Sequence, residues 1–227
     1  MDILSIVISL FVLLFAITVH EASHGWAAMK MGDLTAYAAG RVTLNPLAHI
    51  DLLGTIILPV ILVVFLKAPA FGWAKPVPVN PYNLRHPRRD HLWVSFAGPA
   101  ANLTVAAAAL VLIRVLRVLR PGLTEFLQSF LILKQPFPRG FFPLEVLVLI
   151  LFYAVLVNTY LAVFNLIPIP PLDGSGILSG FLSDSAAAAY DRIRPYGFIL
   201  VMLLVYAGLL NIIIRPILNV IGRIIFL

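Results

Sequence analysis

His20, Glu21 and His24 stand in a His-Glu-Ala-Ser-His pentapeptide that directly continues an apolar run from Ile3 to Val19. In an α-helix residues i and i+4 share a face, so both imidazoles can reach one Zn²⁺ while Glu21 sits beside the metal's open position. The chemistry this spacing allows is metal-assisted hydrolysis, with the carboxylate as general base. A charged side chain at mid-membrane costs roughly 2.5–3.5 kcal/mol, so such a cluster at the end of an apolar helix demands a function. A solvated helix end fits the bare pattern equally well. That bland reading needs no third ligand elsewhere in the chain.

A third ligand is offered between Asn165 and Gly174. Pro168, Pro170 and Pro171 end an apolar run in an extended stretch, and Asp173 followed by Gly174 predicts a carboxylate on a local turn. Two histidines and one carboxylate leave a fourth tetrahedral position free, as in hydrolytic sites and not closed structural ones. The chain has no cysteine, which excludes thiolate ligands and disulfides. A further polar residue, Asn102, lies in the apolar stretch from Ser95 through Gly98 and Pro99, where an amide needs a partner. Small residues at four-residue spacing there, such as Ala97 and Ala101, suit close helix packing.

The elements that must carry these groups follow from composition. With 61% hydrophobic and 11% charged residues, the 227-residue chain reads as an all-α polytopic membrane protein, a helical bundle in one membrane-embedded domain over residues 1–227. The net charge of +6 resides at the ends of apolar runs, where it suits lipid headgroups and not nucleic acid. Asp2 is the one charge before the first run, so a retained first span is expected and not a signal peptide. Four runs are long enough to cross a bilayer: Ile3 to Met29, Leu92 to Ile113, Pro143 to Ile167 and Gly197 to Ile214. A fifth, Leu52 to Leu66, is short, contains Pro59 and reads as re-entrant. Gly72 to Pro81 cannot be regular helix, Ala38 to Leu44 reads as a short extended, β-like segment, and Asp51 as a helix N-cap. His86 and His91, among Arg85, Arg88 and Arg89, suit a headgroup-facing surface; His49 suits a loop. Trp26, Trp73 and Trp93 suit interfacial anchors.

The pentapeptide at 20 to 24, the Ala-Gly-Pro element at 97 to 99, and the segment from Asn165 through Gly174 together resemble the site-2 protease family of intramembrane zinc metalloproteases. The last segment matches the family pattern Asn-x-x-Pro-x-x-x-Leu-Asp-Gly. The resemblance implies that His20, His24 and Asp173 hold one Zn²⁺ and that Glu21 is the general base. It also implies that Asn165 positions substrate or stabilises the reacting carbonyl, a role for which Asn102 is a second candidate. The partners implied are a transmembrane protein substrate and the lipid bilayer, in a prokaryotic cell membrane. The PDZ and nucleotide-sensing domains of other members have no counterpart here. A membrane zinc-binding or transport protein without proteolysis is the alternative.

Both metal-binding segments lie at the C-terminal ends of their apolar runs, so they meet only if those helices run in the same direction. That requires Leu52 to Leu66 to be re-entrant. The positive-inside count is the same for a re-entrant and a fully crossing segment and does not decide.

Overall fold

The computed structural model describes residues 3–57, 61, 73–135, 137 and 142–226. Helix α1 spans Ile3–Lys30 and is followed by a single turn, α2, at Thr35–Ala38. Then come α3, Pro87–Leu119, and a short α4, Gly122–Leu127. Helix α5 spans Pro143–Asn165, α6 Asp173–Phe181 and α7 Asp184–Asp191. Gly197–Tyr206 forms α8 and Leu209–Phe226 forms α9. Among the described residues no strand occurs, and four helices are long and apolar enough to cross a membrane: Leu4–Lys30, Pro87–Leu119, Pro143–Asn165 and Leu209–Phe226. Their outer faces carry exposed side chains such as Val7, Leu10, Phe11, Val111 and Ile212, as a lipid-facing surface does.

Contacts fix the direction of each helix. Along α1, Ile8 and Val12 share a core with Ala109 and Ile113 of α3 and with Val148 and Leu149 of α5. Further along, the carbonyl of Ala16 accepts from Asn102, and His24 meets the Val94 carbonyl. Rising numbers on α1 therefore meet falling numbers on α3 and rising numbers on α5. Helices α1 and α5 are parallel, with α3 antiparallel to both, as the metal-binding segments require.

The chain leaves α1 and enters α3 at the same end of the bundle. Gly32, with φ +109°, closes α1 with a bond from the Asp33 amide to the Ala28 carbonyl, a C-cap that a β-carbon would strain. The fully buried Asp33 carboxylate then accepts from the Thr35 amide and hydroxyl, the Asn80 amide and the Asn83 side chain. The Arg85 amide donates to Met31 at 3.1 Å. Between these points Leu52–Ile57 forms a π-helical segment in which Asp51 accepts from the Gly54 amide. Beyond Ile57 the run Leu52 to Leu66, Pro59 included, lies outside the described residues except for Ile61. Its described flanks adjoin, since the Trp73 amide donates to Gly54 and the Lys75 amide to His49.

Three expectations change. Ala38 to Leu44 is not extended: Gly40, at φ +66°, turns the chain directly after α2, and the Arg41 amide bonds back to Ala36. The last span is not Gly197 to Ile214, because Gly208 adopts φ +71° and divides that run; α9 instead carries Pro216 within it and continues to Phe226. The carbonyls of Ile224 and Ile225 at its end accept from Arg114 and Arg117 of α3. Third, α3 begins at Pro87, and its 33 residues extend about 50 Å, well beyond a hydrocarbon core of about 30 Å.

Burial opposes ionisation of Asp33, but the bonds from Thr35, Asn80 and Asn83 outweigh it and hold this carboxyl below its usual value of 3.8. A depressed folded pKa contributes stability that is present above the unfolded value and lost as pH falls through the folded one. Asp33→Ala should therefore cost about 3 kcal/mol at neutral pH. The difference in melting temperature from the parent, measured in detergent, should shrink as pH drops below about 4.

Candidate metal centre

Three helices contribute to the site. On α1, His20 and His24 project from one face, with ring centroids 4.7 Å apart and both side chains buried. The carboxylate of Asp173 arrives from beyond α5. The chain between Leu166 and Leu172 folds back on itself, and a β-carbon at Gly174 would run into the Leu166 carbonyl. Asp173 is consequently the first residue of α6 and does not sit on an open turn. There its charge complements the positive end of the helix. Helix α6 lies tight on α3, since a side chain at Gly176 would strike Ser95 and one at Gly180 would strike Leu92.

His20 Nε2 is 3.0 Å from Asp173 Oδ2, His24 Nε2 is 3.3 Å from Asp173 Oδ1, and the two Nε2 atoms are 3.1 Å apart. The tautomers follow from the far side of each ring. His24 Nδ1 faces the backbone carbonyl of Val94 at 2.7 Å, a pure acceptor, so this nitrogen carries the proton. Pro99 has no N–H to return to Ser95, and the helix is irregular next to the carbonyl that His24 uses. His20 Nδ1 faces Asn102 Oδ1 at 2.5 Å. The Asn102 amide nitrogen donates to the Ala16 carbonyl at 3.1 Å and to Asn158 Oδ1 at 2.7 Å, which fixes its orientation and makes His20 Nδ1 a donor too.

With Nδ1 protonated on both rings, each ring when neutral turns an Nε2 lone pair toward the other and toward a carboxylate. Three electron-rich atoms at such separations repel unless a cation lies among them. Asp173 Oδ2, buried and in no hydrogen bond, is one of them. Ligands about 2.0–2.1 Å from a tetrahedral zinc are roughly 3.3 Å apart, close to what is seen. Among the described residues, His20, His24 and Asp173 form a group whose ligand atoms, all within 4.8 Å of one another, could hold a metal ion. Gly98 completes the enclosure, because a β-carbon there would collide with both imidazoles.

Glu21, the second residue of the pentapeptide, accepts at Oε2 from the backbone N–H of Val77 at 2.9 Å. The remaining candidates separate. Asn102 is fully buried with both ends of its amide occupied, so it grips His20. Asn165 donates to Leu161 of its own helix, at the end of α5 and not against the two histidines. Asn158, absent from the sequence reading, is fully buried and anchors Asn102 to α5. The signal was the same as for Asn102: an amide inside an apolar span. His49 donates to the Thr43 carbonyl and shapes a loop. His86 is exposed beside Asp90, and His91 is half-buried against Gly176 of α6.

Two parallel membrane helices that bring a His-x-x-x-His pair and an aspartate to one point define a metal-dependent enzyme of the membrane. The profile of Peptidase family M50 matches residues 8–209, and the chain belongs to this family, the site-2 proteases. It is 32% identical over 215 residues to "Putative zinc metalloprotease YwhC" of Bacillus subtilis, covering 91% of this chain and 84% of that protein. It is 29% identical over 198 residues to "Putative zinc metalloprotease Rip2" of Mycolicibacterium smegmatis, covering 87% of this chain and 66% of that one. No solved structure matches. The protein is a zinc metalloprotease with membrane-spanning helices, and zinc is its cofactor.

Asn102→Ala would free the His20 ring to turn and leave its Nδ1 proton unpaired. Zinc affinity, measured by competition with a chelator, should fall about 10- to 100-fold. Gly98→Ala should lower zinc content as well, by wedging a methyl group between the imidazoles.

Proposed function

We propose that this protein is an intramembrane protease that hydrolyses peptide bonds in or near the transmembrane segments of membrane-protein substrates. The observation that carries the reading is the position of the bare Nε2 pair and Asp173 along the bundle. Trp26 and Trp93, exposed on α1 and α3, lie within a few residues of His24 and Val94, and Lys30 stacks over Trp26. Side chains of this kind anchor at the membrane–water boundary. At about 1.5 Å per residue, His20 and His24 sit some 3–9 Å inward of Trp26, deep enough for a transmembrane segment and close enough for water.

His20, His24 and Asp173 would hold the zinc, which supplies a Lewis acid and an acidified water in its open position. Glu21 would take the proton from that water and return it to the leaving amine. Asn102 and the Val94 carbonyl would keep the two rings in the ligating tautomer. Asn165, if released from Leu161, has an amide to offer a substrate carbonyl.

A helical substrate hides its carbonyls and must unwind locally. The stretch from Trp73 to Asn80 is the extended segment beside Glu21. Every second residue, Trp73, Lys75 and Val77, donates its amide inward, to Gly54, His49 and Glu21. The opposite edge presents Ala74, Pro76 and Pro78, whose carbonyls can accept while the prolines have nothing to donate. An unwound substrate adding along this edge would therefore be held through its own N–H groups. The reading also places the chain, as one membrane-embedded domain, in a prokaryotic cell membrane.

Glu21→Gln should lose cleavage of a single-span model substrate in liposomes while keeping one zinc per chain. Turnover by that variant at the parent rate would refute the assignment. Asp173→Asn should instead lose zinc, and chelation of the parent enzyme should abolish cleavage reversibly.

A further inference from the structure

Among the described residues, the one hydrogen bond of the Glu21 side chain comes from backbone. Val77 N–H donates to Oε2 at 2.9 Å, and Oε1 makes no hydrogen bond among the described residues. Of the three residues Pro76, Val77 and Pro78, only Val77 has an N–H. The donor is pinned from both sides. Two residues before it, Lys75 donates to His49 and accepts from the buried Arg41 guanidinium at 2.5 Å. Three residues after it, the Asn80 amide donates to the buried Asp33 at 2.7 Å. Gly25, one turn beyond Glu21 on α1, lets the Val77 segment approach: a β-carbon there would lie 3.3 Å from the Val77 side chain.

We propose that the Val77 amide is a positioning group for Glu21, engaging one carboxylate oxygen so that the other is held toward the metal-bound face. This rests on the reading of Glu21 as general base. A glutamate has three side-chain torsions to fix, and a backbone donor on an anchored segment fixes them before substrate arrives. The flanking prolines serve the same end. Val77 follows one and precedes another, which already confines it to extended backbone.

That confinement makes a clean test. Val77→Pro deletes the N–H while remaining compatible with extended backbone, whereas Val77→Ala keeps the N–H and trims the side chain. With the full chain in liposomes and a single-span model substrate, Val77→Pro should lower kcat about 10- to 100-fold at unchanged KM and zinc content. Val77→Ala should stay within about twofold of the parent. In a Glu21→Asp background, where the shortened carboxylate no longer reaches the amide, Val77→Pro should add less than about twofold. Parental kcat in Val77→Pro, an equal loss in Val77→Ala, or additive losses in the double variant would overturn the inference while leaving Glu21 as the base. Parental turnover by Glu21→Gln would remove the base itself.

Discussion

Everything in this bundle answers to a repulsion. Two imidazole lone pairs and a carboxylate are held within 3.0–3.3 Å of one another. Only a metal ion or a proton among these atoms relieves it, and the surrounding structure holds the rings in place. It does so from behind the rings. Val94 fixes one and Asn102 the other, and Asn102 is in turn held by Ala16 and Asn158. That polar ladder crosses from α1 through α3 to α5 and is buried throughout. Its amides cost free energy in an apolar interior only if unpaired, and here each is paired.

Close approach is the second requirement. Gly98 lets α3 touch the imidazoles, while Gly176 and Gly180 let α6 lie on α3. At each contact a glycine on one helix receives a side chain of the other, Ser95 and Leu92 among them, so α6 and Asp173 sit close on α3. The metal-binding end is therefore built from small and polar residues. The opposite end is an ordinary apolar core of Ile8, Val12, Ile113, Val148 and Leu149.

How much of this the sequence discloses depends on what kind of group acts. The clustering of His20, His24 and Asp173, the helical class and the parallel course of α1 and α5 are legible because ionisable side chains in apolar spans are expensive and therefore conspicuous. Asn102 is conspicuous for the same reason, although its role behind His20 is not. The break at Gly208 and the turn at Gly40 are hidden because a single glycine does not announce whether it takes positive φ. Asp173 at a helix start, and not on a turn, depends on the fold-back from Leu166 to Leu172, a tertiary event. The Val77 amide is invisible in principle, since a backbone N–H has no letter in the sequence.

The extended stretch beside Glu21 has one more consequence. On the proposed reading of Glu21 as general base, a protease that keeps a length of its own unwound chain against that carboxylate borders on cutting itself. Here the amides of Lys75 and Val77 are already committed, to His49 and Glu21. The bonds that follow those two residues are tertiary amides leading into Pro76 and Pro78. On that reading the segment is a resident non-substrate, an unwound stretch in a register and a bond type ill suited to cleavage.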